Sequence, residues 1–315
     1  MANPLVSIVI PTYNSAEFIS ETLTACLAQT YQPCEIILVD DGSQDNTLDI
    51  VNSFAESIRV IQQTNQGPAI ARNTGILEAK GDFIQFCDSD DILHPEKIEK
   101  CLSLLLDNPS SALAYCQMQS VDEAGQIITD RLPVPNSDFF EADKLFCKIF
   151  DANGSPIQTS TLLARKSALI AVGLYRADPN YFCAEDWDLL LRLADSYSFV
   201  GIQEVLVDYR VRTGALTTKP ILMAEGRLKT VQYARDYSQR SQCINDAEYD
   251  QIEAGRYQVL AVKLWQGRRN KEARQAFLQA SKLSPKGRKI RLLYAYMTYF
   301  LPISAMYWLN QRLSA

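Results

Sequence analysis

Four short β-rich runs, "VSIVI" (6–10), "EIILVD" (35–40), "RVIQQ" (59–63) and "DFIQFCD" (82–88), alternate with three longer amphipathic stretches at 15–29, 44–56 and 67–80. Near-continuous apolar strands separated by helices call for a mostly parallel sheet with both faces covered. In such sheets ligands bind beyond the carboxyl ends of the strands. Here each strand runs into polar or turn-forming residues: "PTYN", "DDGSQD", "TNQGP" and "DSDD". Asn14, Ser15, Asp45 and Asn65 are good cap and turn residues, but a cap needs one polar side chain and these junctions supply several. The four ends are therefore expected to converge on one site.

Past the fourth run, 96–106 reads as a helix with Pro95 at its start. Residues 112–140 read as strands and a loop, with "DEAGQ" as a turn. "PIQTSTLLARKSALIAVGLY" reads as strand then helix, "AEDWDLLLRLAD" as a helix opened by acids, and "SFVGIQEVLVDYRV" as strands. The region after Pro220 turns helical. The 315 residues carry a formal charge of −6, which disfavours a nucleic-acid polymer as partner. That charge is uneven: Lys263 to Arg291 holds ten Lys/Arg and one acid, against 20 basic and 36 acidic residues in 1–262. Eight cysteines with no CxxC spacing read as reduced, buried thiols. No basic segment precedes a long apolar stretch at the N-terminus, so no signal peptide is read and a cytoplasmic location is expected.

Asp88 and Asp90 flank one residue at a strand end, so along an extended segment their side chains fall on the same side. Two carboxylates held that way repel unless a cation sits beside them. Mg²⁺ or Mn²⁺ suits such oxygen ligands and takes only one or two from protein, leaving room for waters or substrate phosphates. Alone, the D-x-D reads equally as a solvated turn. Asp40 and Asp41 end the second strand, where a carboxylate could accept a uracil N–H or ribose hydroxyls. Arg72 lies on the following helix pattern, as a phosphate or carboxylate partner or as a surface arginine. Glu185 and Asp186 open a later helix, as reactive acids or as acids that complement its dipole.

The ordered series "VSIVIPTYNSAEFI", "VDDGSQDNT", "NQGPAIARNTGI", "DSDD", "VGLY" and "EDWDLLLR" resembles the family 2 inverting glycosyltransferases of GT-A fold, over residues 5–215. The resemblance implies a GT-A-type, Rossmann-like α/β domain over 1–219, with a helical C-terminal region over 220–315. It implies an activity as well: transfer of a sugar from a nucleotide-diphosphate sugar, UDP-linked by expectation, to a hydroxyl of a glycan or lipid-linked acceptor. By the same resemblance Pro11, Thr12, Tyr13, Glu17 and Gly67 lie by the nucleotide, Asp41 with Asp40 beside it binds the base, and Arg72 helps hold the nucleotide or the D-x-D loop. Asp88 contacts the ribose or sugar, and Asp90, with Asp88, holds Mn²⁺ or Mg²⁺ at the diphosphate. Asp186 is the implied catalytic base, with Glu185 the alternative. One position departs from the family: the "YRxH" histidine is Arg212 here, a residue that cannot ligate metal but could pair with the diphosphate. The single histidine, His94, reads as a loop residue.

Residues 254–287 have a spacing that resembles one tetratricopeptide unit, a helix pair that needs a further surface to bury its apolar face. The tail, 286–315, sets Lys286, Arg288, Lys289 and Arg291 before the uncharged, aromatic-rich run Leu292–Leu309. That pattern fits peripheral attachment to an anionic membrane surface better than a span. Two other readings compete for the whole chain. A nucleotidyltransferase would need a Gly-rich basic loop after the first strand, which "PTYNSAEF" lacks; a catalytically silent nucleotide-sugar scaffold would not need both the D-x-D and the Glu-Asp pair.

Overall fold

A computed structural model describes residues 3–132, 145–151, 155, 157–178, 181, 183–237 and 244–283. In chain order its elements are β1 (Val6–Thr12), α1 (Ile19–Leu27), β2 (Cys34–Asp40), α2 (Thr47–Asn52), β3 (Arg59–Gln62), α3 (Pro68–Glu78), β4 (Phe83–Phe86), β5 (Ile92–Leu93) and α4 (Lys97–Asp107). There follow β6 (Ser111–Val121), β7 (Ile127–Leu132), α5 (Leu145–Asp151), β8 (Leu163–Arg165), α6 (Lys166–Ala171), α7 (Glu185–Ser196), β9 (Ser198–Arg210), α8 (Pro220–Ala234), α9 (Asp246–Gln266) and α10 (Asn270–Leu283). The helix expected over 44–56 is short, six residues of α2. Neither α5 nor the two-residue β5 was anticipated.

One sheet runs in the order β3-β2-β1-β4-β8-β6-β9-β5, with β7 paired to β6. The β3-β2-β1-β4 portion is parallel, as the βα alternation requires. β8 then joins β4 and β6 by antiparallel ladders, while β9 runs parallel to β6 and antiparallel to β5. The chain leaves β1 for β2 and β3 on one side and returns to β4 on the other, so strand order reverses between β1 and β4. That reversal opens a crevice at the carboxyl ends. Register keeps those ends level: Thr12 pairs with Asp40 and Val9 with Phe86.

All seven residues of β1 are buried, as befits a strand covered on both faces. The two-residue side-chain period sends Ile8 and Ile10 into one core with α1 and α4, and Val9 into the other with α3 and α7. Gly75 is where α3 comes closest to β1. A Cβ there would lie 2.3 Å from Cγ1 of Val9.

The C-terminal helices continue this body. Val231 and Ala234 of α8 and Tyr249 of α9 join the core shared with α3 and α7, while Leu228, Leu260, Leu264, Ala273 and Ala276 form a smaller cluster among α8, α9 and α10. The turn between α9 and α10 falls at Gly267–Arg269, inside the stretch with tetratricopeptide-like spacing. No helix among the described residues is long and apolar enough to cross a membrane. The tail over 286–315 lies outside the described residues. Cys26, Cys87, Cys101 and Cys116 are free and buried, as expected, but Cys147 is disulfide-bonded, contrary to the reading of reduced thiols throughout.

Candidate active site

A cavity of about 570 Å³ opens at the carboxyl ends of the parallel strands. Of the residues expected there, Pro11, Thr12, Tyr13, Asp41, Gly67, Arg72, Asp88, Asp90, Glu185, Asp186 and Arg212 line it. Asp40 and Glu17 do not. Asp40 is buried beside the site and accepts the Ser43 N–H, whereas Glu17 is exposed at the surface before α1.

Asp41 follows β2 directly and binds the loop before α3. Its Oδ1 accepts from Gln63 Nε2 (2.7 Å) and the Gln66 N–H (2.9 Å), and its Oδ2 from the Gly67 N–H (2.8 Å). Gly67 has φ 90°, a conformation open to glycine, which lets the chain turn toward Asp41 before Pro68 starts α3.

Arg72, one turn into α3, is the hinge of the charge arrangement. It is buried, donates to Asp88 Oδ1 at 2.7 Å and to Glu185 Oε1 at 3.2 Å, and lies 5.4 Å from the Tyr175 ring centroid. Asp88, Tyr175 and Glu185 hold its pKa above the ordinary value despite burial.

The three acids of "DSDD" have separate surroundings. Asp88 faces Arg72. Asp90 Oδ2 accepts from Arg212 Nε, and burial together with the Asp88 charge still pushes its carboxyl above the usual range. Asp91 is sealed in: it accepts from the Ser160 hydroxyl (2.5 Å) and the Arg210 N–H (3.0 Å). Ser160 in turn accepts the Asp88 N–H at 3.0 Å. Asp91 is thus the anchor that fixes the loop, and Asp88 and Asp90 are the pair left facing the cavity. His94 stands apart, with Nε2 2.9 Å from Asp208 Oδ1.

The first turn of α7 also divides its acids. Asp188 is fully buried against Arg192 (2.6 Å) and Tyr237, tying α7 to the end of α8. Glu185 spends Oε1 on Arg72 and accepts the Ala184 N–H on Oε2 (3.1 Å). Asp186 accepts the Trp187 N–H (2.7 Å), and burial and the neighbouring Glu185 push its carboxyl up to about 6. That shift brings proton exchange at Asp186 closer to neutral pH than at an ordinary aspartate.

Could a divalent cation fit? Asp88 and Asp90 each use one oxygen on an arginine, leaving Asp88 Oδ2 and Asp90 Oδ1 for a further partner. One or two carboxylate oxygens completed by water and phosphate is the usual protein share of a Mg²⁺ or Mn²⁺ site. No cluster of three ligating side chains exists among the described residues.

Arg210, Lys219 and Arg227 also line the cavity and were not singled out in the sequence. Arg210 is buried and donates to the Asp90 carbonyl (3.0 Å), the Glu123 carbonyl (2.7 Å) and Glu21 (2.6 Å). The motif "DYRVR" carried the signal, since two arginines one residue apart at a strand end meet the same acidic loop.

The family description "Glycosyl transferase family 2" matches residues 7–167. An uncharacterised glycosyltransferase of Rickettsia prowazekii is 32% identical over 225 residues, 71% of this chain and 69% of that protein. Among solved structures, Staphylococcus aureus TarS 1–349 in complex with UDP-GlcNAc superposes with a TM-score of 0.65 at 21% identity, covering 89% of this chain and 81% of that one. The mannosyltransferase PcManGT of Pyrobaculum calidifontis, in complex with GDP-Man and Mn²⁺, gives a TM-score of 0.60 at 18% identity, covering 94% and 85%.

Proposed function

The chain belongs to glycosyl transferase family 2, and from that membership we propose that it moves a sugar from a nucleotide-diphosphate sugar to an acceptor hydroxyl in one inverting displacement, with Asp186 as base. The observation that carries this reading is the raised Asp186 carboxyl in the same cavity as Asp88, Asp90 and the ends of β1 and β2. In the proposed reaction Pro11, Thr12, Tyr13, Asp41 and Gly67 form the nucleotide wall, and Asp88 meets the ribose or sugar.

Asp186 takes the proton of the acceptor hydroxyl as it attacks the anomeric carbon from the face opposite the nucleotide. The bond to the diphosphate breaks, and the nucleoside diphosphate leaves with the electron pair. Asp88 and Asp90 would hold Mn²⁺ or Mg²⁺, which when bound neutralises charge growing on the leaving diphosphate. Arg72 pairs with Asp88 and Glu185 and holds both in place, and the Glu185 charge beside Asp186 adds to the basicity of that carboxylate. Arg212 holds Asp90 in the free enzyme and is the side chain best placed to meet the diphosphate when a cation takes over that carboxylate.

UDP-sugars are the first donors to try, with a glycan or lipid-linked hydroxyl as acceptor and peripheral attachment to the inner face of the cytoplasmic membrane as the setting. Donor hydrolysis is measured with UDP-, GDP- and dTDP-sugars, with and without Mn²⁺. Turnover of one nucleotide class is expected. The absence of both turnover and binding with all of them would remove the reading.

A further inference from the structure

Beside the donor cavity lies a second hollow of about 250 Å³, walled by the first turns of α8 and the last turns of α9. The two share Thr217, Met223 and Arg227. Every charged residue lining the hollow is a cation: Arg227 from α8, and Arg256 and Lys263 from α9. Arg256 and Lys263 are seven residues apart, two helical turns, and so share one face.

Two arginines at the ends of these helices are paired. Arg235 meets Asp250 and Glu253, and Arg269 meets Glu272 and Glu225. Among the described residues Arg227, Arg256 and Lys263 have no such partner, and the Nε atoms of Arg227 and Arg256 are buried with no hydrogen-bond acceptor. Arg256 is held in place by the Trp187 ring, 5.5 Å from the guanidinium carbon to the ring centroid. Burial and the charge of Arg227 pull the Arg256 pKa below its ordinary value. Three cations around one hollow repel one another, and the buried Nε donors of Arg227 and Arg256 forgo hydrogen bonds, a cost that an anion in the hollow removes.

We propose that this hollow binds a phosphate group carried by the acceptor. The inference rests on the glycosyl-transfer reading of the adjoining cavity. A phosphate has enough oxygens to accept from Arg227, Arg256 and Lys263 together, where a carboxylate has two. The acceptor rather than the donor is the source because the nucleotide-wall residues Thr12, Tyr13, Asp41 and Gly67 share nothing with the hollow, which meets the cavity on the α8 side. An acceptor anchored there enters past Arg227 and lays a hydroxyl toward Asp186.

The test titrates inorganic phosphate into the full chain, followed by ³¹P line broadening, with and without saturating UDP or GDP. The same titration is run on Lys263→Glu and on Arg256→Gln/Lys263→Gln. Saturable phosphate binding that persists with the nucleotide bound, and weakens about tenfold or more in both variants, is expected. Nucleotide affinity should not change in either variant. Lys263→Glu leaves the Arg256–Trp187 contact intact, so it remains informative if the double variant folds poorly. Phosphate binding abolished by nucleotide would assign the hollow to the donor and overturn the proposal, as would unaltered binding in Lys263→Glu. Nucleotide affinity of the wild-type chain, read in the same experiment, reports separately on the glycosyl-transfer reading.

Discussion

Arg72 donates to Asp88 from one terminal nitrogen and to Glu185 from the other, joining the end of β4 to the start of α7. Each acid is held in place by the same guanidinium, whose single positive charge they share.

Replacing Arg72 with Met fills the volume but strands two carboxylates, and removing one partner of a buried charge pair costs about 3 kcal/mol or more. Urea unfolding of Arg72→Met should show that loss, with Arg72→Lys intermediate because an ammonium cannot span both acids. A loss below about 1 kcal/mol, the range of an exposed pair, would mean the acids do not depend on Arg72.

A base must be deprotonated to act, and the Asp186 carboxyl is raised to about 6. The transfer rate should therefore be level above about pH 6 and fall about tenfold per unit below it, where an ordinary aspartate would sustain activity to about pH 4. Initial rates from pH 4.5 to 8 at saturating donor measure this. Asp186→Asn should lower transfer by about 10² or more with donor affinity unchanged. Full activity in that variant removes Asp186 from the reaction.

With Asp90 as a cation ligand, EDTA should weaken donor binding to the wild-type chain by about tenfold or more. In Asp90→Ala, binding should already be weak and indifferent to chelator. Calorimetric titration of donor in Mn²⁺ and in EDTA gives both values, and equal affinities in the wild type would exclude a metal from donor binding.

Gly75 faces Val9 so closely that a methyl group must displace α3 or β1. Overpacking of that kind costs about 1–3 kcal/mol. Gly75→Ala should lower Tm accordingly, and Gly75→Ala combined with Val9→Ala should recover part of the loss.

The parallel half of the fold was legible because each of its strands is an apolar run with a polar end, a pattern imposed by burial on both faces. The cavity followed, since strand order reverses where "PTYN" and "DSDD" end β1 and β4. What escaped notice depends on pairing across long separations. β5 exists only because Ile92 and Leu93 meet Asp208 and Val207, and nothing local in "ILHP" announces a strand. The distinct surroundings of Asp90 and Asp91 were hidden for the same reason, since they are set by Arg212 in one case and by Ser160 and the Arg210 amide in the other. Asp40 and Asp41, adjacent in sequence, could not be told apart until the pleat turned one to the cavity and one to Ser43.

Asp91 draws its two donors from segments that begin 69 and 119 residues away. The acidic loop is thus a knot tied by three stretches of chain, and a fragment ending after β8 would keep the carboxylates but lose the Arg210 amide, Arg212 and Glu185 together. The half with the most recognisable motifs is not a portable module. A chimera that is to inherit this site has to be spliced beyond α8, because Met223 and Arg227 of that helix line the cavity and Tyr237 just past it holds Asp188 of α7.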